Sequence, residues 1–226
     1  MSKISIIIPT INEANNLPLL LSDLSSMKQE GEIIIVDCGS EDKTIDIANI
    51  YGVKVCITKD RNRGLQLDMG AKNSKGDWLI FLHADTRLTH DWFGEINSFL
   101  KGSKNSIYYF KFKINHKKII YRVLEILVNI RSKYLKQPYG DQGLIIHRTT
   151  YFKNNGFSKI PLMEDVDFLR RINKNDLKQF NTPILISSRK WERTNIFLQA
   201  IKNWNFRRRW LKGESLKSIY SDYYKK

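Results

Sequence analysis

The chain is short of cysteine, histidine and acid. Its two cysteines, Cys38 and Cys56, fall in no CxxC or Cys/His pattern, which excludes a structural zinc site and a disulfide framework and fits a reducing cytoplasm. No apolar run approaches the roughly 20 residues needed to span a bilayer. Met1-Ser2-Lys3-Ile4 leads directly into an apolar segment, so no secretory leader is expected; the chain reads as cytoplasmic, soluble or peripheral at the inner face of the membrane. Acid is scarce relative to base, 23 Asp+Glu against 38 Lys+Arg, and the net charge of +15 points to nucleotide phosphates, membrane surfaces or nucleic acid. There is no internal repeat and no linker. The 226 residues, 42% of them hydrophobic, are enough for one domain, read as 1–212 with a basic tail at 213–226.

Short apolar runs alternate with amphipathic segments through the first hundred residues. Ile4 to Ile8, Ile33 to Val36, Val53 to Ile57 and Trp78 to Leu82 are expected strands; Leu17 to Met27, Lys43 to Tyr51 and Leu65 to Asn73 are expected helices. This βαβ alternation predicts a mainly parallel sheet covered on both faces, with ligands beyond the carboxyl ends of its strands. Further on, the pattern predicts a helix at Asp91 to Leu100, strands at Ile107 to Ile114, Leu144 to His147 and Ile184 to Ile186, and helices from Glu164 and over Asn195 to Leu211. A long helix from Lys117 to Tyr134 is expected to turn Ile120, Val123, Leu124, Leu127 and Ile130 toward the core, opposite Arg122, Glu125, Asn129 and Lys133.

Polar clusters stand at the predicted strand ends. Pro9-Thr10-Ile11-Asn12-Glu13 follows the first strand and Asp37-Cys38-Gly39-Ser40 the second; Asp37 either accepts hydrogen bonds from a base or ribose or completes a turn, and Gly39 allows close backbone approach. Arg61 to Ala71 is a basic turn entering a helix, suited to a diphosphate. His83-Ala84-Asp85 follows the fourth strand, and Asp85 is a hard oxygen donor suited to Mg²⁺ or Mn²⁺. Tyr139 to Gly143 is a polar loop. Glu164, Asp165 and Asp167 open a helix whose macrodipole favours them there; Asp165 is a candidate general base.

In this order and at this spacing, the Pro9–Glu13, Asp37–Ser40, Asp85, Gly140-Asp141-Gln142 and Glu164-Asp165 motifs resemble the signature of family 2 glycosyltransferases over about residues 3 to 212. His83 to Thr86, Arg63 to Gly70, Pro161 to Asp165 and Arg189 to Arg193 are similar to a compact bacterial subgroup associated with arsenosugar-type or radical-SAM-linked gene clusters. The resemblance implies a single GT-A-like α/β domain, Rossmann-related, with a mixed central sheet and helices on both faces. It implies inverting transfer of a sugar from a UDP- or GDP-linked donor to an acceptor hydroxyl, with Mn²⁺ or Mg²⁺ as cofactor. Pro9, Thr10, Glu13, Asp37, Gly39, Ser40, Arg63, Gln66 and Asp85 would bind donor, Asp85 the metal, and Asp165 would take the acceptor proton. Gln142, Glu164 and Trp191 would shape the sugar and acceptor pocket.

The chain departs from the family pattern at His83, where an acid usually precedes the metal aspartate, and at Ser187 to Trp191, where the motif of processive enzymes is reduced. Two other classes remain: a nucleotidyltransferase of similar architecture, disfavoured because Pro9 to Glu13 is not a Gly-rich basic loop, and a non-catalytic basic module. In the latter, Phe197, Ile201, Trp204, Phe206, Trp210 and Leu211 interleave with Lys202, Arg207, Arg208, Arg209 and Lys212, a pattern for core closure, an anionic membrane surface or, less readily, nucleic acid. The acceptor is a small molecule or a lipid-linked group.

Overall fold

The computed structural model describes residues 3–27, 30–89, 92–187 and 196–224. Its centre is one eight-stranded sheet: β1 (Ile4–Thr10), β2 (Gly31–Asp37), β3 (Lys54–Ile57), β4 (Trp78–Phe81), β5 (Thr86–Leu88), β6 (Ile107–Ile114), β7 (Leu144–His147) and β8 (Leu177–Ile186), in the order β3-β2-β1-β4-β7-β6-β8-β5. The β3-β2-β1-β4 half is parallel. β7 enters antiparallel to β4 and β6, and β8 runs parallel to β6 with β5 antiparallel at the edge. The sheet is therefore mixed, as expected.

The helices are α1 (Leu17–Asp23), α2 (Thr44–Ile50), α3 (Arg63–Lys72), α4 (Trp92–Phe99), α5 (Ile119–Tyr134), α6 (Arg148–Lys153), α7 (Glu164–Arg171), α8 (Ile196–Leu211) and α9 (Leu216–Tyr224). Alternation along β1 feeds two cores. Ile4, Ile6 and Ile8 join Leu20, Trp78 and Trp92 on one face, while Ile7 joins Leu67, Phe81 and Phe168 on the other. A central parallel strand buried on both faces needs this continuous run of isoleucine. Close packing of α3 on the sheet depends on Gly70, where a Cβ would stand 2.3 Å from Ile7 Cγ2.

Three elements depart from expectation by addition: β5, α6 and α9. The strand expected at Ile184 to Ile186 begins at Leu177, and the 213–226 segment, expected as a tail, contains α9 with Ile219 fully buried.

The larger correction concerns α5, which is rotated from the expected orientation. Tyr121, Leu124, Glu125, Val128 and Ser132 are buried, whereas Val123, Leu127 and Ile130 are exposed. The cause lies in β6. Its pairing with β7 covers only Ile107 and Tyr108, so the outward backbone groups of Phe110, Phe112 and Ile114 have no strand on that side. Side chains take the strand's place. Gln142 Nε2 donates to Phe110 O (3.1 Å); Asn129 accepts from Phe112 N and donates to Phe112 O (both 2.9 Å). Glu125 Oε1 accepts from Ile114 N (2.6 Å), and Arg122 donates to Ile114 O (3.1 Å). An unpaired buried backbone group costs about 1–3 kcal/mol, so the four such bonds made by α5 outweigh burial of a few aliphatic side chains and turn the polar side of the helix inward.

Candidate active site

Beyond the carboxyl end of β4 and the adjoining amino end of β7 lies a cleft of about 280 Å³. Asp85 reaches it from the loop between β4 and β5, Tyr139 and Asp141 from the loop before β7, and Asp165 from the first turn of α7. Arg63 comes from the start of α3, Arg131 from α5, and Asn203, Phe206 and Arg207 from α8. Residues scattered over more than 140 positions thus converge because the strand order reverses at β4, the place where open α/β sheets bind ligands.

The α7 turn is built with some strain. Met163, just before the helix, is left-handed at φ 65°, an uncommon conformation for a residue with a side chain. Asp165 Oδ2 accepts the Gly140 N–H (2.8 Å) and Oδ1 the Val166 N–H (2.7 Å). Gly140 leaves room at the cleft floor: a Cβ there would stand 3.1 Å from His83 Nε2, a tight contact that would push the imidazole by a few tenths of an ångström. Glu164 points behind the cleft, 1% exposed, in an ion pair with Arg63. Burial pushes its carboxyl above the usual range against the pull of the Arg63 charge, and its Oε2 is buried without a hydrogen-bond partner.

His83 lies between cations and acids. Burial and the Arg63 charge hold its imidazole below the usual value, opposed by Asp85, Asp141 and Asp165. Tyr139 carries the Arg131 and Arg207 guanidiniums over its ring, at 4.0 and 4.2 Å from the centroid. Around the cleft, four carboxylates (Asp85, Asp141, Glu164, Asp165) stand against three guanidiniums (Arg63, Arg131, Arg207), a balance that accepts a dianionic ligand together with a divalent cation.

Among the described residues, no group of three or more His, Cys, Asp or Glu side chains could hold a metal ion by itself. Asp141 Oδ1, however, is a buried acceptor without a hydrogen-bond partner in the cleft that also contains Asp85 and Asp165. Hard oxygen donors of this kind fit Mg²⁺ or Mn²⁺ shared with a ligand phosphate, not a metal caged by protein.

The loops after β1 and β2 form a second cluster on the same edge, outside the cleft lining. Asp37 is fully buried and all four of its acceptor positions are engaged: Thr10 Oγ1 (2.8 Å) and Ser40 Oγ (2.5 Å) donate to Oδ2, and the N–H groups of Gly39 (3.0 Å) and Ser40 (2.8 Å) to Oδ1. Of the two roles open to Asp37, the structure displays the loop-building one. Gly39 takes φ 87°, and Ser40 Oγ also accepts from Asn12 N (2.8 Å). Glu13 anchors the other loop, its N–H on Thr44 Oγ1 and its carboxylate on Asn16. Pro9 lies in β1 opposite Val36, one residue before the strand ends at Thr10.

Two expected ligand-facing amides face elsewhere. Gln66 Nε2 donates to Thr10 O (3.1 Å) and Val36 O (2.7 Å), pinning the ends of β1 and β2 together from beneath. Gln142 is fully buried: Nε2 completes β6, and Oε1 accepts from Ser132 Oγ (2.5 Å) and Arg131 (3.5 Å). It holds Arg131 in position and does not line the cleft. Trp191 lies outside the described residues. Arg131, Tyr139, Asp141 and Arg207 are cleft residues that the sequence reading missed. The adjacent Gln142 drew attention in the 139–143 loop, and the inverted face of α5 hid Arg131.

Residues 5–197 match the family model described as glycosyl transferase family 2. Among curated proteins, the chain is 40% identical over 91 residues to a PGL/p-HBAD biosynthesis glycosyltransferase of Mycobacterium tuberculosis, a stretch covering 37% of this chain and 36% of that protein. It is 38% identical over 95 residues to the 4,4'-diaponeurosporenoate glycosyltransferase of Staphylococcus haemolyticus, covering 39% and 25% respectively. The chain thus spans only about a third of the first of these relatives and a quarter of the second. Among solved structures, TarS of S. aureus in complex with UDP-GlcNAc superposes with a TM-score of 0.66 at 17% identity, over 83% of this chain and 59% of that one. Glucosyl-3-phosphoglycerate synthase from Mycobacterium tuberculosis, in complex with Mn²⁺, UDP and glucosyl-3-phosphoglycerate, gives 0.58 at 18%, over 82% and 70%. This likeness is one of fold, the GT-A architecture. The family match runs unbroken from β1 through the Asp85 loop and the α7 carboxylates, and the chain belongs to glycosyl transferase family 2.

Proposed function

We propose that the protein transfers a sugar, with inversion, from a nucleotide-diphosphate donor to an acceptor hydroxyl in a metal-dependent reaction. One observation carries this reading: Asp85, from the loop between β4 and β5, and Asp165, from the first turn of α7, line the same cleft, which Arg63 also lines. A single in-line displacement needs a site for the leaving diphosphate and a base on the other side of the sugar.

In this reading the base and ribose sit on the loops Pro9 to Glu13 and Gly39 to Ser40, which Asp37 holds together through Thr10. Glu13 contacts the nucleoside. Arg63, kept charged and in place by Glu164, meets the diphosphate. Asp85, with Asp141 beside it, would hold Mg²⁺ or Mn²⁺, which when bound neutralises charge developing on the diphosphate. Asp165, held by the Gly140 and Val166 N–H groups, keeps one oxygen edge toward the cleft and takes the acceptor proton. His83, uncharged near neutrality, serves as a hydrogen-bond partner in the floor of the site.

UDP is the favoured nucleotide, since the structural relatives named above are described with UDP or UDP-GlcNAc. The motif variants at His83 and Pro161 to Asp165 support the compact bacterial subgroup. The two curated relatives are named for different products, so their identity to this chain does not carry an acceptor with it. The test is a panel of UDP- and GDP-sugars with Mn²⁺ or Mg²⁺, following slow donor hydrolysis without acceptor. The reading predicts release of nucleoside diphosphate from at least one donor, abolished by EDTA. Absence of both binding and hydrolysis across the panel would sink it.

A further inference from the structure

The rotation of α5 has placed an apolar stripe on the surface. Ile119, Val123, Ile126, Leu127, Ile130 and Tyr134 are between 45 and 79% exposed, and they recur at the three- and four-residue spacing of one helix face. α8 carries a second stripe. Leu198, Ile201, Trp204 and Leu211 are between 53 and 60% exposed, with Lys202, Arg208 and Lys212 exposed among them. Isolated exposed leucines are ordinary; two long helix faces of them are not.

The two helices share the cleft. Leu124, Val128 and Arg131 of α5 and Asn203, Phe206 and Arg207 of α8 line it, and Arg131 and Arg207 both lie over Tyr139. Their outer faces therefore flank its opening. The charge on these faces has one sign. α8 contains no acid, and the single acid of α5, Glu125, is buried under the helix against β6, while Lys117, Lys118 and Lys133 stay exposed.

We propose that the outer faces of α5 and α8 together dock the protein on an anionic membrane surface, with the cleft opening at the headgroup level. Charge decides the occupant. A second copy of the chain would bring lysine and arginine against lysine and arginine, whereas an anionic bilayer offers headgroups to the cations and an acyl boundary to the aliphatic and aromatic side chains. No helix among the described residues is long and apolar enough to cross a membrane, so the contact is peripheral. Taken with the glycosyl-transfer reading, on which this one step rests, the surface makes the acceptor a lipid-anchored hydroxyl compound presented at the cleft mouth.

The experiment is co-sedimentation of the full chain with phosphatidylcholine vesicles, with and without phosphatidylglycerol, in the absence of nucleotide. The wild type is expected to bind only the anionic vesicles. Two sets of exposed residues outside the cleft are then altered. The triple variant Lys202→Ala, Arg208→Ala, Lys212→Ala should weaken binding about a hundredfold, at roughly fivefold per cation. The double variant Ile201→Ser, Trp204→Ser should weaken it about tenfold or more through lost apolar insertion. Both variants should keep the wild-type melting temperature and UDP titration. Wild type that stays in the supernatant with anionic vesicles would overturn the proposal, as would wild-type binding by the Ile201→Ser, Trp204→Ser protein or a dimer in solution that this variant dissociates. Vesicle binding without any UDP binding would uphold the surface and reject the transfer reading instead.

Discussion

On the β3-β2-β1-β4 side of the sheet, strands pair in register and the helices turn their apolar faces inward; on the β7-β6-β8-β5 side, β7 leaves β6 after two residues and side chains from α5 and the 139–143 loop stand in for the missing strand. Helix orientation follows from this difference. Where backbone groups are satisfied by strands, hydrophobic burial decides which face points inward. Where they are not, the cost of unpaired N–H and C=O groups decides it, and an apolar face can be left outside. Chemistry divides in the same way. The Asp37 loop on the parallel side has every acceptor position filled, whereas Asp141 and Glu164 on the mixed side each retain a buried oxygen without a hydrogen-bond partner.

The comparison can be broken at several points. If the mixed side is where reaction occurs, Asp165→Asn should lower donor turnover by about 10²–10⁴-fold while leaving UDP affinity within a few-fold of wild type, as measured by hydrolysis kinetics beside calorimetry. Arg63→Gln should come next, destabilising the fold by about 3 kcal/mol in urea titration because Glu164 is left buried without its cation. That is the low end for a buried ion pair, since Arg63 keeps 34% of its side chain exposed. Asn129→Leu removes both bonds to Phe112 and should cost about 2 kcal/mol, whereas Val123→Ser on the outer face of the same helix should stay within about 0.5 kcal/mol of wild type. Equal costs for those two would refute the account of α5. Among the variants that remove a hydrogen bond, the smallest effect is expected on the parallel side, where Thr10→Val removes one of four bonds to Asp37 and should cost about 1 kcal/mol.

Much of the parallel side was legible in the sequence. Isoleucine-rich runs such as Ile4 to Ile8 are buried on both faces and bounded by polar loops, and the acidic start of α7 announced itself through the macrodipole preference. The mixed side was not legible to the same degree, because its determinants are non-local. The apolar residues of α5 are periodic, but so are Arg122, Glu125 and Asn129, and only the early departure of β7 from β6 makes the polar set the inner one. β5 is too short to show a pattern, and the first part of β8 is masked by Lys178, Asn181 and Pro183. In the site, Asp85, Asp165 and Arg63 converge on one cleft, whereas Gln66 and Gln142 turn out to bond main-chain carbonyls at strand ends and edges. A glutamine amide suits a sugar and an unpaired carbonyl equally well, and sequence does not distinguish them.

The most direct test of the proposed chemistry is calorimetric titration of UDP with Mn²⁺ into wild type, Asp85→Asn and Asp165→Asn. The account predicts Mn²⁺-dependent binding by wild type and Asp165→Asn, and loss of that dependence in Asp85→Asn. UDP binding that is indifferent to Mn²⁺ and to Asp85 would contradict it.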